Sequence, residues 1–258
     1  MEESIDAVVE TAAEEQSEGT ETQNQKVRVE LVCTGNEERS ALGQFMAEEY
    51  ITNEGLENIV EVTSRGTHVR KIAKAIANEK DTDLELSVKR NIVTKAYANG
   101  IYEGKNAEDA PKILEAIKEA KDCKALPEEV LVRLNQLYGK AKTSFDAKPG
   151  LNRVLALYGH KPFPSREPRQ LVANGGLHIV LGMAESSTKH IATVYKESGF
   201  SPLITPYHTF TGTEEVAPIV MQTSPEKYEQ FVRYFREATP IMVRNAISYG
   251  REHGIITR

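Results

Sequence analysis

The sequence predicts an α/β protein: a three-layer fold with a four-stranded parallel sheet and helices on both faces, plus an inserted all-helical subdomain. Two observations carry this prediction. Short apolar segments alternate with longer segments of helical periodicity in the first and last parts of the chain, and such alternation is typical of a parallel sheet. Between these parts, residues 70–159 are almost entirely helical in pattern.

The elements of the sheet domain follow in order along the chain. Strands are predicted near 27–32, 59–63, 177–183 and 201–206, and helices near 40–53, 185–198 and 225–253. In open sheets of this kind, ligands bind beyond the carboxyl ends of the strands. Because the first strand runs into Cys33, we expect a functional site at that edge.

The helical interval 70–159 is predicted to be an insertion. Apolar residues recur at helical spacing in three runs, 84–96, 113–120 and 130–137, and Pro111 and Pro127 fit the first turns of helices. The insertion is interpreted either as a structural cap or dimerisation surface, or as a lid that selects substrates. It follows the second strand, whose carboxyl end borders the expected site, so a lid would start in the right place.

Composition and length indicate an ordinary water-soluble globular protein. The chain has 258 residues, of which 40% are hydrophobic and 27% charged. No apolar run is long enough to cross a bilayer, and the first residues lack the basic start and apolar centre of a secretory signal. The only cysteines are Cys33 and Cys123, so no disulfide framework is expected and the predicted location is cytoplasmic.

The net charge of −6 is concentrated at the start of the chain. Residues 1–26 contain eight acidic side chains against Lys26 alone, and we predict that they form an acidic disordered tail. Its simplest role is solubility, with partner binding as an alternative. The remainder has no basic stripe, so nucleic acid is not an expected partner. The histidines show no metal-ligand spacing, and neither a metal nor another cofactor is expected.

The most informative motif is Cys-Thr-Gly-Asn-Glu-Glu-Arg-Ser at residues 33–40, between the first strand and a helix. Gly35 permits a tight turn, and the N–H groups of the loop can line a bowl that holds a phosphate. The N-terminus of the helix favours bound anions and a thiolate at the same spot. We therefore predict that Cys33 is a nucleophile and that Arg39 grips two phosphoryl oxygens.

The rest of this loop is predicted to bind the phosphate. These residues are Thr34, Gly35, Asn36, Glu37, Glu38 and Ser40. The two glutamates leave an alternative open. If their side chains point outward, the bowl still binds an anion at some electrostatic cost; if one turns inward, it occupies the bowl as a carboxylate and opposes thiolate formation. Arg65 could offset this charge or pair with one of the glutamates.

The motif resembles the signature of the low-molecular-weight protein tyrosine phosphatases. Further resemblances to that family lie in Met-Ala-Glu-Glu at 46–49, Val-Thr-Ser-Arg-Gly-Thr at 62–67, Arg-Gln-Leu at 169–171 and the apolar strand 177–183. The resemblance covers about residues 27–69 and 160–250. It implies a phosphatase-like α/β domain made of 27–69 and 160–258, with 70–159 as the insertion.

The resemblance also implies a mechanism. A thiolate attacks phosphorus to give a phosphocysteine, and water then releases phosphate, while Asn36 and Ser40 hold the loop and stabilise the thiolate. In the family, an aspartate in an Asp-Pro pair acts as the general acid, but Ala217 stands at the matching position. Glu214 or Glu215, close by in the same loop, is a possible substitute acid.

Three functions remain open on this evidence. The first is a cytoplasmic phosphatase-like enzyme that hydrolyses phosphotyrosine or another phosphomonoester, on a phosphorylated protein or a small molecule. Ala217 favours the second, a non-catalytic phospho-ligand binding protein whose insertion contacts a protein partner or a second copy. The third, an arsenate reductase, normally relays oxidation through further cysteines, and Cys123 alone is a poor candidate for that role. A membrane is not an expected partner.

Overall fold

The computed structural model describes residues 25–36, 38–76, 82–142, 149–214 and 225–257. The strands are β1 (Val27–Cys33), β2 (Val60–Gly66), β3 (Ile179–Gly182) and β4 (Leu203–Pro206). The helices are α1 (Arg39–Asn53), α2 (Val69–Ile76), α3 (Thr82–Ala98), α4 (Lys105–Ala116), α5 (Glu128–Lys142), α6 (Pro149–Leu157), α7 (Glu185–Ser198), α8 (Tyr207–Thr211) and α9 (Pro225–Glu252), with a 3-10 turn at Cys123–Ala125. Residues 1–24 of the expected tail lie outside the described ranges. Within those ranges, no helix has both the length and the apolar character that a membrane crossing needs.

The sheet has the strand order β2-β1-β3-β4, and every pair of neighbours is parallel. The register of β1 and β2 runs from Val27 opposite Val60 to Cys33 opposite Gly66. The predicted four-stranded parallel sheet is therefore confirmed. Cys33 and Gly66 lie side by side at its carboxyl edge, where the sequence places the site.

Helices cover both faces of the sheet because β1 is buried on both sides. Val29 and Leu31 belong to a core shared with α1, α6 and α9. Val32, whose side chain points the opposite way, packs with Ile191 and Tyr195 of α7. All three β1 residues are fully buried, as expected for a central parallel strand. This arrangement gives the three layers that the sequence predicts.

The helices from α3 to α5 bury a second core of their own. Its most buried apolar residues are Leu86, Val93, Ala96, Ala110, Ile117, Leu134, Leu137 and Ala141. One helix boundary differs from the prediction: α4 begins at Lys105 and contains Pro111 in its interior, although we expected that proline in a first turn. The turn at Gly104, with φ of 53°, starts the helix earlier, and Pro111 costs it one main-chain hydrogen bond.

The end of the helical interval meets the first core. Leu151 and Leu155 of α6 are buried in that core, where α6 packs against α9. Ala98, the last residue of α3, joins the same core. The division into a sheet domain of 27–69 and 160–258 and an insertion of 70–159 stays a prediction, with α6 at its border.

Leu155→Ala tests whether α6 is part of the main core. Leu155 is fully buried, so we expect its truncation to lower the free energy of unfolding by about 2–5 kcal/mol, measured by urea denaturation. Leu157 lies on the same helix but is 77% exposed, so Leu157→Ala should stay within about 0.5 kcal/mol of the wild type. Equal effects of the two substitutions would contradict this packing.

Candidate active site

The loop between β1 and α1 folds back over the sulfur of Cys33. The main-chain N–H of Asn36 donates to Cys33 Sγ at 3.2 Å, and Ser40 Oγ lies 3.0 Å from the same sulfur. The start of the loop is anchored to the segment after β2, because His68 N donates to Thr34 O at 2.9 Å. Cys33 is only 4% exposed. Two polar groups therefore contact the sulfur, and both can stabilise a negative charge on it.

Asn36 fixes the conformation of the loop. Its φ of 55° lies in the left-handed region, which asparagine tolerates better than most residues. Its buried side chain donates from Nδ2 to Ser40 Oγ at 3.1 Å and to Ser64 Oγ at 2.8 Å. Its Oδ1 accepts a hydrogen bond from Arg169 N at 2.9 Å. One amide thus connects the loop to α1, to β2 and to a distant part of the chain.

A second layer of buried polar groups supports the loop from behind. Ser64 Oγ donates to Gln44 Oε1 at 2.8 Å, and Arg166 donates to both residues, to Ser64 Oγ at 2.7 Å and Gln44 Oε1 at 2.9 Å. Burial lowers the pKa of the Arg166 guanidinium, while Glu48 and Cys33 act in the opposite direction. The layer therefore brings a half-buried arginine into electrostatic range of the Cys33 sulfur.

Residues 160–171 form a strap across this edge of the molecule. At one end, His160 Nδ1 lies 2.6 Å from Glu49 Oε2 on α1. At the other, Gly66 N donates to Arg169 O at 2.8 Å, so the strap pairs with the last residue of β2. The sequence predicts this proline-rich segment only as a return connection. The strap also carries Arg166 and Arg169, which support the loop around Cys33.

Arg39, the first residue of α1, lies at the carboxyl edge of the sheet. It is 8% exposed, and its Nη1 donates to Met183 O at 3.3 Å, just after β3. A guanidinium has five N–H donors, so most of them have no hydrogen-bond partner among the described residues. This position suits the predicted contact with a phosphoryl group.

Charged residues in the loop and beside it have partners that were not predicted from the sequence. Arg65 Nε donates to Glu30 Oε1 at 2.9 Å, so Arg65 pairs with a strand residue instead of a loop glutamate. Burial raises the pKa of Glu30, and Arg65 acts against this shift. Glu38 Oε1 lies 3.0 Å from Lys95 Nζ on α3. Glu37 lies outside the described residues.

The surface around the loop is basic. Arg70, Lys71 and Arg169 are exposed next to it, and the His68 ring lies 5.3 Å, between centroids, from that of His190. Burial lowers the pKa of His68, and His190 and Lys71 act in the same direction. In the part of the chain that the structure describes, no group of three or more histidine, cysteine or carboxylate side chains is placed to hold a metal. The local charge favours an anionic ligand.

Of the two candidate acids, Glu214 alone lies among the described residues. Glu214 is exposed and lies shortly after α8, from which Gly212 and Thr213 separate it. Glu215 and Ala217 lie outside the described residues. The role of a substitute acid therefore stays a prediction.

A family comparison agrees with the loop geometry around Cys33, Arg39 and Ser40. Residues 28–119 match the family model of the low molecular weight phosphotyrosine protein phosphatases. The match runs from β1 to just beyond α4 and includes the whole loop, and it confirms the resemblance found in the motif. Residues 160–250, where the resemblance was also expected, lie outside it. None of the curated proteins compared with the chain matches it.

Several polar residues of this phosphatase-like site were not predicted. Gln44 could have been predicted from the sequence, since it lies one helical turn after Ser40 on the same face of α1. Lys95 could also have been singled out, because it is a charged residue inside an apolar helical run. The role of Arg166 could not have been predicted, because its partners Gln44 and Ser64 are more than a hundred residues away along the chain.

Gly66→Ala tests how closely the loop packs on β2. A Cβ at Gly66 would lie 2.8 Å from Asn36 N and 2.8 Å from Thr34 O, which are main-chain atoms that cannot move alone. We expect the substitution to lower the free energy of unfolding by about 1–3 kcal/mol and to change the rate at which iodoacetamide alkylates Cys33.

Gly139→Ala is the matched control. Gly139 lies in α5, and a Cβ there would meet nothing within 4 Å, so alanine should leave the alkylation rate unchanged and should not destabilise the helix. Wild-type stability and alkylation in Gly66→Ala would contradict the close approach of the loop.

Proposed function

We propose that the protein is a cysteine-dependent phosphatase that hydrolyses phosphotyrosine or another phosphomonoester through a phosphocysteine on Cys33. The observation that carries the proposal is the pair of contacts on the sulfur, from Asn36 N at 3.2 Å and Ser40 Oγ at 3.0 Å. Both groups can donate to a thiolate, and the thiolate is the nucleophilic form of cysteine. The family match over 28–119 supports the same chemistry.

In the first step, the Cys33 thiolate attacks phosphorus. A sulfur–phosphorus bond forms while the bond from phosphorus to the leaving oxygen breaks. Negative charge spreads over the other phosphoryl oxygens, and the Arg39 guanidinium and the N–H groups of the loop are proposed to stabilise it. The leaving oxygen takes a proton from an acid, or departs as an anion when the leaving group is good.

In the second step, water attacks phosphorus and the sulfur–phosphorus bond breaks. Its electron pair returns to Cys33 Sγ, and inorganic phosphate leaves. Ser40 is suited to assist, because its single hydroxyl proton can point either to the sulfur at 3.0 Å or to Arg65 O at 3.3 Å. We propose that it donates to the thiolate and turns to the carbonyl while the sulfur is phosphorylated.

The source of the proton for the leaving group differs from that expected in the family. The resemblance implies an aspartate where Ala217 stands. General acid catalysis contributes typically about 10²–10⁴-fold, so without it activated aryl phosphates still react while poorer leaving groups are slow. Glu214 or Glu215 is proposed as the substitute. A phosphorylated protein or a small phosphomonoester is the proposed substrate, and the cytoplasm, which keeps thiols reduced, is the proposed location.

Ala217 is the observation that favours a second candidate function. The same loop could bind a phosphorylated ligand without turnover, with the helical insertion as a partner surface. An arsenate reductase is less well supported, because its relay needs a second reactive thiol. Cys123 packs against the helical core, and burial and the nearby Glu85 raise the pKa of its thiol.

Hydrolysis of para-nitrophenyl phosphate tests the proposed function. We expect turnover by the wild type, none by Cys33→Ser, and unchanged turnover by Cys123→Ser. With phosphotyrosine as substrate, Ala217→Asp should raise kcat by about 10²-fold or more if the position lacks its acid. If the wild type shows no Cys33-dependent turnover but binds phosphate tightly, the result would favour the non-catalytic binding protein over the enzyme.

Glu214→Gln and Glu215→Gln test the substitute acid separately. Loss of the acid should lower kcat for phosphotyrosine by about 10²-fold while changing little for dinitrophenyl phosphate, whose leaving group needs no proton. The alkaline limb of the pH–rate profile should disappear in the same variant. If neither substitution affects phosphotyrosine, the chain has no substitute acid at these positions.

A further inference from the structure

We propose that Lys95 of α3 is a positioning residue for the loop, which keeps the Glu38 carboxylate out of the anion site and neutralises its charge. This inference rests on the proposed function of the loop. Glu38 directly precedes Arg39 and occupies the N-cap position of α1. A carboxylate that turned inward from this position would compete with a bound phosphate.

The geometry of the pair is that of a structural ion pair. Lys95 Nζ lies 3.0 Å from Glu38 Oε1, and the two side chains are 6% and 13% exposed. Charges this buried need compensation, and removing one member of such a pair takes compensating charge from the other. The helical interval therefore supplies a charge that the loop at the edge of the sheet requires.

The Glu38 side chain pairs with Lys95 and does not cap the N-terminus of α1. An N-cap side chain usually accepts hydrogen bonds from the first N–H groups of its helix. Glu38 makes no such bond, although its main-chain oxygen accepts from Leu42 N at 2.6 Å and so starts the helix. With its carboxylate held by Lys95, the first-turn N–H groups remain available to an anion.

Lys95 is itself held in place by Asn99, the residue that directly follows α3. Asn99 Nδ2 donates to Lys95 O and to Tyr228 OH, both at 2.8 Å, and Asn99 Oδ1 accepts from Gly150 N at 3.0 Å. Helices α3, α6 and α9 thus meet beside the ion pair. Burial raises the pKa of Tyr228, with Glu38 acting in the same direction and Lys95 against it, so both charges lie within reach of this tyrosine.

The test is the affinity of the full chain for inorganic phosphate, measured by isothermal titration calorimetry. In Lys95→Met, the Glu38 carboxylate loses the positive charge of Lys95, which should weaken phosphate binding by about tenfold or more, the order expected for one charge close to a bound anion. In the double variant Lys95→Met/Glu38→Gln, most of the affinity should return. A purely structural role for Lys95 does not predict this rescue.

Lys89→Met is the matched control. Lys89 lies on the same helix, has an 8% exposed side chain and pairs with Glu85 within α3. It should destabilise the helix without changing the affinity for phosphate. Equal losses from Lys89→Met and Lys95→Met, wild-type affinity in Lys95→Met, or no rescue by Glu38→Gln would overturn the positioning role alone. Failure of the wild type to bind phosphate would overturn the anion site and the inference together.

Discussion

The buried amide of Asn36 is the constraint on which the site depends. Its two N–H donors and its oxygen are all used, on Ser40, Ser64 and the main chain of Arg169. A buried polar group left without a partner costs about 1–3 kcal/mol, so the loop, β2 and the strap cannot move independently. The loop around Cys33 is therefore organised before a ligand arrives, which is the condition under which fixed dipoles contribute most to catalysis.

Three positively charged side chains at the site come from separate parts of the fold. Arg39 begins α1, Arg166 comes from the strap, and Lys95 comes from the helical interval. We propose that Arg39 contacts the phosphoryl group, that Arg166 supports the loop from behind, and that Lys95 holds the Glu38 carboxylate. The helical interval is thus proposed to do more than bury its own core, because it supplies one of these charges.

Much of the sheet domain could be predicted because its signals are local. Burial on one face gives α7 its helical periodicity, and burial on both faces makes β1 a nearly continuous apolar run, so the predicted helix 185–198 coincides with α7 and the predicted strand 27–32 lies within β1. The loop could be predicted because Cys33, Arg39 and Ser40 lie in one continuous segment. The contacts of Arg166 and Lys95 could not, because they join residues that are far apart in sequence and carry no shared pattern.

The most direct test of the central claim is mass spectrometry of the Cys33 peptide after acid quenching during turnover of para-nitrophenyl phosphate. The account predicts a phosphoryl group on Cys33 in the wild type, and its accumulation when the second step is slowed by Ser40→Ala. Turnover without an adduct, or with an adduct on another residue, would contradict the assignment of Cys33 as the nucleophile.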